Sequence, residues 1–434
     1  MKALLASLLA TAISMLGAAE YPVMCWTYYR FEDRLDDDFT IDSWVKLGIN
    51  RPMTPVVDGK TDKAAFRRFL DKCHAAGLKV YVHDNRIATA GTGEFCKNGD
   101  EEAYRQACRE VRNDWSAHPA VAGFYVFDEP EAAESDRVFR AARIQREEMP
   151  DKEPYLNLLP WFDWIGKHIG AEALAPYLDR AVKESGLGFL GYDCYTQQCG
   201  TEKGLGDYFH NLREWMELGQ RSGCRWNTTL LCVPHFAYQI DSCDDFRWQI
   251  STAVAMGANG ICWFHPDHHM GYSMNYRNAP ISPLGERTDT FAWMSEEMRL
   301  FQRQYGDFFA TAKIEAAAMA GRSYGGIGAF RGDEDLRAIG ADAEFPLLVS
   351  FFRGADGLRY ATVVSLNKAD SHNVKLTFAR NVRPFQKRWS IWKELVPSDD
   401  AGLANATGET SGTQSIQLYL APGQLVLVRL ARKE

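Results

Sequence analysis

The run Gly123-Phe-Tyr-Val-Phe-Asp-Glu-Pro130 sets two adjacent carboxyls, Asp128 and Glu129, at the end of an apolar stretch that proline then stops. A buried strand that terminates in acids holds a titratable group at a fixed point between core and solvent. Burial and a like-charged neighbour both favour the neutral carboxyl, so Glu129 reads as a proton donor, with Asp128 tuning it or touching substrate. A solvated acidic turn is the plain alternative, since Glu131 and Glu134 follow closely. Asp193 closes a second apolar run, Phe189-Leu-Gly-Tyr-Asp193, framed by Tyr192 and Tyr195. A proton donor plus a second group that attacks, activates water or stabilises positive charge is what glycosidic-bond cleavage requires. Glu129 and Asp193 are the candidate pair. Asp267 is the rival for the second place, with turn or helix capping as its structural alternative.

Further groups suited to holding a polar ring end other apolar runs: Trp26, Tyr28 and Tyr29; His83, Asp84 and Asn85; Trp161; Tyr195; His235; and Cys262-Trp-Phe-His-Pro-Asp-His-His269. Trp26, Asp84, Asp128, Tyr195, His235, Trp263, His265 and Asp267 are taken as candidate substrate contacts. Trp263 is read as a stacking floor for a sugar, with a core tryptophan as the competing role. The His-rich tail also admits a metal reading, in which His265, Asp267, His268 and His269, with His83 and Asp84, activate a bound hydroxide. Its spacing fits no common zinc-hydrolase motif, so no metal ligand is assigned, and no organic cofactor is implied.

To gather these groups, the strands carrying them must end on one side. Short apolar runs at Val23–Tyr28, Gly48–Pro52, Lys79–Asp84, Ala122–Asp128, Tyr155–Leu158, Phe189–Asp193, Thr228–Val233 and Gly260–Phe264 alternate with amphipathic stretches such as Asp62–Ala76 and Leu205–Ser222. Gly77 and Gly257 close two of those stretches just before a strand. Eight β/α units in about 290 residues predict an α/β chain of the (β/α)₈ TIM-barrel type, whose strand C-termini face the catalytic mouth. A doubly wound sheet is disfavoured because no Gly-rich phosphate turn follows the first strand. Beyond Phe309 the period shortens to that of strands, in Leu347–Phe352, Tyr360–Leu366, Val374–Phe378 and Leu425–Leu430, with turns at Gly354-Ala-Asp-Gly357 and Pro422-Gly423. The division expected is a barrel over 20–310 and a C-terminal all-β sandwich over 311–434.

Residues 1–19 carry Lys2, an apolar run and the small residues Gly17-Ala-Ala19. This is the pattern of a signal peptide and predicts export, secreted or periplasmic. The run is shorter than the ~20 residues a membrane span needs. A net charge of −8 without basic–aromatic interleaving argues against nucleic acid as a partner. The 12 Trp, 18 Tyr and 24 Phe suit stacking on sugar rings as well as an ordinary large core. Of the 10 cysteines, Cys194 and Cys199 are the first pair to examine for a disulfide.

Three segments together resemble the clan A glycoside hydrolases and, more loosely, the family 42 β-galactosidase-like barrels. Gly123–Pro130 is similar to the strand-four motif in which Asn-Glu-Pro supplies the acid/base glutamate, with Asp128 standing in place of the Asn. Phe246-Arg-Trp-Gln-Ile250 through Ala258-Asn-Gly-Ile-Cys-Trp-Phe264 resembles the last helix and strand of secreted glycosidases of this kind. Pro283-Leu-Gly-Glu-Arg-Thr288 and Leu420-Ala-Pro-Gly423 resemble how such enzymes close. The resemblance implies a glycosidase acting on an oligosaccharide, polysaccharide or glycoconjugate, with Glu129 as acid/base. It also implies a nucleophilic glutamate on the seventh strand, where Leu230-Leu-Cys-Val-Pro-His235 has no acid. Three explanations stand: Asp193 is the partner, a 2-acetamido sugar supplies its own nucleophile, or hydrolysis is lost and the chain only binds glycan. A metal-dependent hydrolase of carbohydrate esters or amides is the alternative activity.

Overall fold

The computed structural model describes residues 20–33, 36–267, 274–396 and 413–432; the segment read as a signal peptide, and His268 and His269, lie outside them. Seven regular strands build a parallel sheet: β1 (Val23–Cys25), β2 (Val80–Val82), β3 (Val121–Asp128), β4 (Glu153–Leu158), β5 (Phe189–Asp193), β6 (Arg225–Leu231) and β7 (Gly260–Phe264). Their order is β1-β7-β6-β5-β4-β3-β2.

The second predicted strand, Gly48–Pro52, is not regular. Its place between β1 and β2 is taken by an irregular segment over residues 50–57. Arg51 and Met53 donate to the carbonyls of Val23 and Cys25 at 2.8 and 3.1 Å, while Pro52 and Asn50 accept from Tyr81 and Lys79 at 3.0 Å each. Pro52 and Pro55 have no N–H to give, so the ladder breaks into single bridges rather than a strand. The segment still joins both sheet edges and completes the TIM barrel.

Inward side chains fill the barrel: Met24, Trp26, Met53, Tyr81, Tyr125, Tyr155, Phe189 and Cys262 form one cluster. Outward ones join the larger core shared with the helices. Helix starts follow their caps. Asp62 accepts from the N–H groups of Ala64 and Ala65 at 2.9 and 3.1 Å, and Ser242 opens the helix Cys243–Ala255 through a reciprocal capping box with Asp245. All ten cysteines are free thiols, so Cys194 and Cys199 form no disulfide here. Among the described residues no helix is long and apolar enough to cross a membrane.

The C-terminal strands are antiparallel: β8 (Lys313–Ala320), β9 (Leu336–Gly340), β10 (Leu347–Arg353), β11 (Arg359–Ser365), β12 (His372–Ala379), β13 (Val382–Arg388), β14 (Ile391–Glu394), β15 (Thr413–Leu420) and β16 (Leu425–Arg432). They form a six-stranded sheet, β14-β13-β16-β11-β10-β8, and a three-stranded sheet, β15-β12-β9. Alternation sorts the six-stranded sheet's side chains. Leu347, Val349 and Phe351 face the smaller sheet, while Leu348 and Phe352 join the barrel's core. The joint is close-packed. Trp248 Nε1 donates to the Leu366 carbonyl at 3.0 Å, and Gly423, at φ +63°, lies so near Trp248 that a Cβ would fall 2.6 Å from its backbone.

Candidate active site

The mouth is built by an interruption in β3. Its pairing with β4 runs Tyr125 to Tyr155 and then Phe127 to Leu156, so Val126 is an extra residue, a β-bulge. Tyr125 points into the barrel, whereas Val126 and Phe127 both pack in the outer core. Without the bulge, strict alternation would bring Phe127 to the mouth; with it, Asp128 arrives there opposite Asn157. The bulge carbonyl is not orphaned, since Thr92 Oγ1 lies 3.1 Å from the Val126 oxygen. Glu129 then takes a left-handed conformation at φ +50°, which non-glycine residues rarely adopt, and its N–H donates to the Asn157 carbonyl at 3.0 Å. Pro130 follows and the next helix begins.

Asn157, the inward residue near the end of β4, ties the site together. Its Nδ2 donates to Asp128 Oδ1 and to Asp193 Oδ1, each at 2.9 Å, so one amide group serves two carboxyls on either side of it. Asp193, at the end of β5, also hydrogen-bonds with Glu129 and Tyr195. Three carboxyls thus share one wall across β3, β4 and β5.

Electrostatics follow from that crowding. Burial raises the Glu129 carboxyl far above its ordinary range, and the charges of Asp193 and then Asp128 raise it further. Asp128 is raised by burial and by Asp193, against the opposing hydrogen bond from Asn157. Asp193 is raised by burial, while hydrogen bonds from Asn157, Glu129 and Tyr195 pull it back. The proton therefore rests on Glu129, which donates it to Asp193. Among the described residues no Lys or Arg lines the cavity.

The remaining walls are aromatic. Trp26 stacks on Tyr28 with centroids 5.7 Å apart, Tyr195 meets Phe264 at 5.4 Å, and His235 packs against Tyr238 and Phe264 at 5.2 Å each. His235 Nδ1 lies 2.9 Å from the Val233 carbonyl, and burial lowers its pKa, so the ring is neutral. At the rim stand Trp164, 71% exposed, and Phe236, 55% exposed. The cavity so enclosed is about 290 Å³, near the lower end of small-molecule sites. It can hold a ring against aromatic faces, supply a proton from Glu129, and stabilise positive charge with a carboxylate.

Of the candidate residues, Trp26, Asp128, Glu129, Asp193, Tyr195 and His235 line this cavity. Four others do not. Asp84 is fully buried and engaged by Arg86, Nε to Oδ1 at 3.0 Å and Nη2 to Oδ2 at 2.6 Å, and by Trp115 Nε1 at 2.9 Å. Trp263 is in the outer core against Phe246, because its position on β7 points away from the barrel axis, so it is no stacking floor. His265 sits behind Tyr28, their rings 5.4 Å apart. Asp267 is buried outside the cavity lining, and burial raises its carboxyl to about 7. Among the described residues no group of three His, Cys, Asp or Glu side chains is placed to hold a metal ion.

Asn157 was not singled out from the sequence, although a signal existed. It is the one polar residue in Tyr155-Leu-Asn-Leu158 and is in phase with inward Tyr155. Trp164, Phe236 and Tyr238 sit on loops, where periodicity carries no information about direction.

No family model and no curated protein matches the chain. Solved structures match it by fold. It is similar to a cold-adapted β-galactosidase from Rahnella sp. R3 at 12% identity and TM-score 0.54, covering 69% of this chain and 58% of that one. A catalytic mutant of a family 42 β-galactosidase from G. stearothermophilus aligns at 11% identity and TM-score 0.53, covering 67% and 58%. A structure named glycoside hydrolase aligns at 9% identity and TM-score 0.56 over 95% of this chain and 92% of that one. The likeness shows the fold, a TIM barrel. This chain spans less than two thirds of the length of those β-galactosidases.

Proposed function

We propose that the chain hydrolyses O-glycosidic bonds, with Glu129 protonating the leaving oxygen. One observation carries this reading. Three half-buried carboxyls share a wall at the barrel mouth with no Lys or Arg among the described residues lining it; the neutral amide of Asn157 ties Asp128 to Asp193, and Asp193 in turn is hydrogen-bonded to Glu129. Such a cluster costs folding free energy and supplies what acetal cleavage needs, an acid kept protonated at neutral pH beside a carboxylate that favours positive charge. The aromatic walls fit a sugar's apolar faces, and the fold likeness to glycoside hydrolases agrees with the reading.

In this reading Glu129 gives its proton to the leaving oxygen as the bond to the anomeric carbon lengthens. Asp193 stays ionised and stabilises the charge that develops there. Glu129, now a carboxylate, then takes a proton from the incoming water. Residues 20–310 carry the catalytic barrel and 311–434 a supporting sandwich. Residues 1–19 direct export, and the substrate is an oligosaccharide, polysaccharide or glycoconjugate. The test is hydrolysis of a panel of aryl glycosides with and without EDTA, by wild type and by Glu129→Gln. Activity that survives the chelator and disappears in the variant is expected. Equal rates for the two proteins would remove Glu129 from the chemistry, and loss with EDTA alone would favour the metal-dependent alternative.

A further inference from the structure

Resting on the glycosidase reading of this same site, we infer that the nucleophile comes from the substrate: the preferred sugar carries a 2-acetamido group whose acyl oxygen attacks its own anomeric carbon.

Displacement at an acetal carbon needs an electron pair arriving on the face opposite the departing oxygen. Here, among the described residues, every carboxyl lining the cavity is on the donor's side. Asp128 and Asp193 flank Asn157 and are held to its Nδ2 at 2.9 Å each, and Asp193 is hydrogen-bonded to the donor, Glu129. A carboxylate bonded to the acid cannot also stand across a sugar ring from it. The same geometry disfavours activation of a water, which requires acid and base about 6.5–9.5 Å apart to leave room for it. Across the cavity, β1, β6, β7 and the loops after them present Trp26, Tyr28, His235, Phe236 and Phe264. His235 is neutral and packed among aromatic rings. Asp267, the one acid following β7 before the loop, is not in the lining, and residues 268–273, His-His-Met-Gly-Tyr-Ser, bring no carboxyl by sequence.

A neighbouring acetamido group fills this gap. Its carbonyl oxygen forms a bond to C1 as the bond from C1 to the leaving oxygen breaks, and the Glu129 proton passes to that oxygen. Asp193 accepts the amide N–H, which points the carbonyl at C1 and offsets the positive charge of the cyclic intermediate. Water then adds to C1 and gives its proton to the Glu129 carboxylate. The electron pair of the intramolecular C1–O bond returns to the amide. Atoms and charges balance, with retention at C1 and no bond to the protein.

The test compares aryl 2-acetamido-2-deoxy glycosides with their 2-hydroxy counterparts, in gluco and galacto configuration, and adds N-trifluoroacetyl analogues of the better substrate. The acetamido series is expected to have kcat/KM higher by about 10³-fold or more, and fluorination, which weakens the acyl oxygen, to lower it by roughly 10²-fold. Asp193→Asn should erase most of the preference for the acetamido series. Comparable hydrolysis of both series, indifference to fluorination, or a covalent sugar adduct on the protein would overturn this inference and leave the glycosidase reading standing. Inactivity on every glycoside in both series would overturn the glycosidase reading and this inference with it.

Discussion

Asp84 and Asp193 both sit at the C-terminal ends of strands of one parallel sheet, Asp84 fully buried and Asp193 half-buried beside the aromatic wall, yet their surroundings differ. Asp84 has a guanidinium on both oxygens and an indole N–H besides. Elsewhere Asp335 in the sandwich is held by Arg359 at 2.8 Å and Arg432 at 3.1 Å, and Glu297 is held by Arg247. Asp193 has two other carboxyls, one amide and the Tyr195 hydroxyl, all without positive charge. Burying a charge without a counter-charge is expensive, so a chain selected for stability alone pairs it. The pairing rule is followed at Asp84, Asp335 and Glu297 and suspended at the mouth. The exception separates Asp193 and Asp128 from Asp84 better than the presence of acids does, since Asp84 and Asp128 look equally functional in the sequence.

Substitution can break that contrast, and the largest effect falls on Glu129. Glu129→Gln keeps the shape and removes the proton, so kcat should fall by about 10³–10⁴-fold while the fold is retained. Steady-state rates on an aryl glycoside beside a thermal melt would show it. Asp84→Asn should do the opposite. It takes from Arg86 one of its two carboxylate partners, leaving Asp114 Oδ2 at 2.9 Å, and should cost about 1–3 kcal/mol of stability, seen as a lower urea midpoint. In what remains folded, kcat should stay within about 3-fold of wild type. A kcat loss in Asp84→Asn comparable to that of Glu129→Gln would dissolve the distinction between the two acids.

Asp193→Asn comes next, because it removes a charge rather than the proton. A fall of about 10²-fold in kcat/KM is expected, with a displaced pH profile. Glu129 must be protonated to act, and the Asp193 anion helps keep it so. Removing that anion lowers the Glu129 pKa, so the alkaline limb of kcat/KM should move to lower pH. An unmoved limb would mean the two carboxyls are not coupled in the working enzyme.

Much of this contrast was legible in the sequence at the level of elements. Seven of eight strands were located by apolar runs, and the eighth failed where Pro52 and Pro55 remove ladder donors, although its position in the barrel holds. Glu129 and Asp193 could be placed at the mouth because each abruptly ends an apolar run. Which acid would meet a cation could not. Arg86 is two residues from Asp84 and reaches it through a turn, and Trp115 arrives from a distant π-helical turn, Arg112–Ser116. Trp263 was misread for a related reason. Alternation says that a residue and its neighbour face opposite ways, and only the register of the whole barrel says which of them faces inward. The bulge at Val126 changes that phase within β3 itself, and a one-residue insertion leaves no mark in composition.

The smallest effect expected is the most diagnostic, because it is a gain. Asp128, Glu129 and Asp193 are all held above their ordinary values by burial first; neighbouring carboxylate charge adds to this at Asp128 and Glu129, whereas hydrogen bonds pull Asp193 part of the way back. The folded chain therefore binds protons there more tightly than the unfolded chain. The stability these groups contribute is fully present below the ordinary values of 3.8 for Asp and 4.5 for Glu, and it is lost as pH rises through the raised ones. Glu129→Gln removes one of the titrating carboxyls and keeps a hydrogen-bonding side chain beside Asp193. Its unfolding free energy should match that of wild type near pH 4 and exceed it by about 1–2 kcal/mol at pH 8, as expected when a catalytic group is held at a cost to the fold. Urea unfolding across that range reads the difference directly. Curves that run parallel would mean the cluster is already neutralised by something other than its shared proton, and the contrast with Asp84 would lose its energetic basis. Curves that converge at low pH and part as it rises would tie the variant's added stability to the same proton that the proposed mechanism uses.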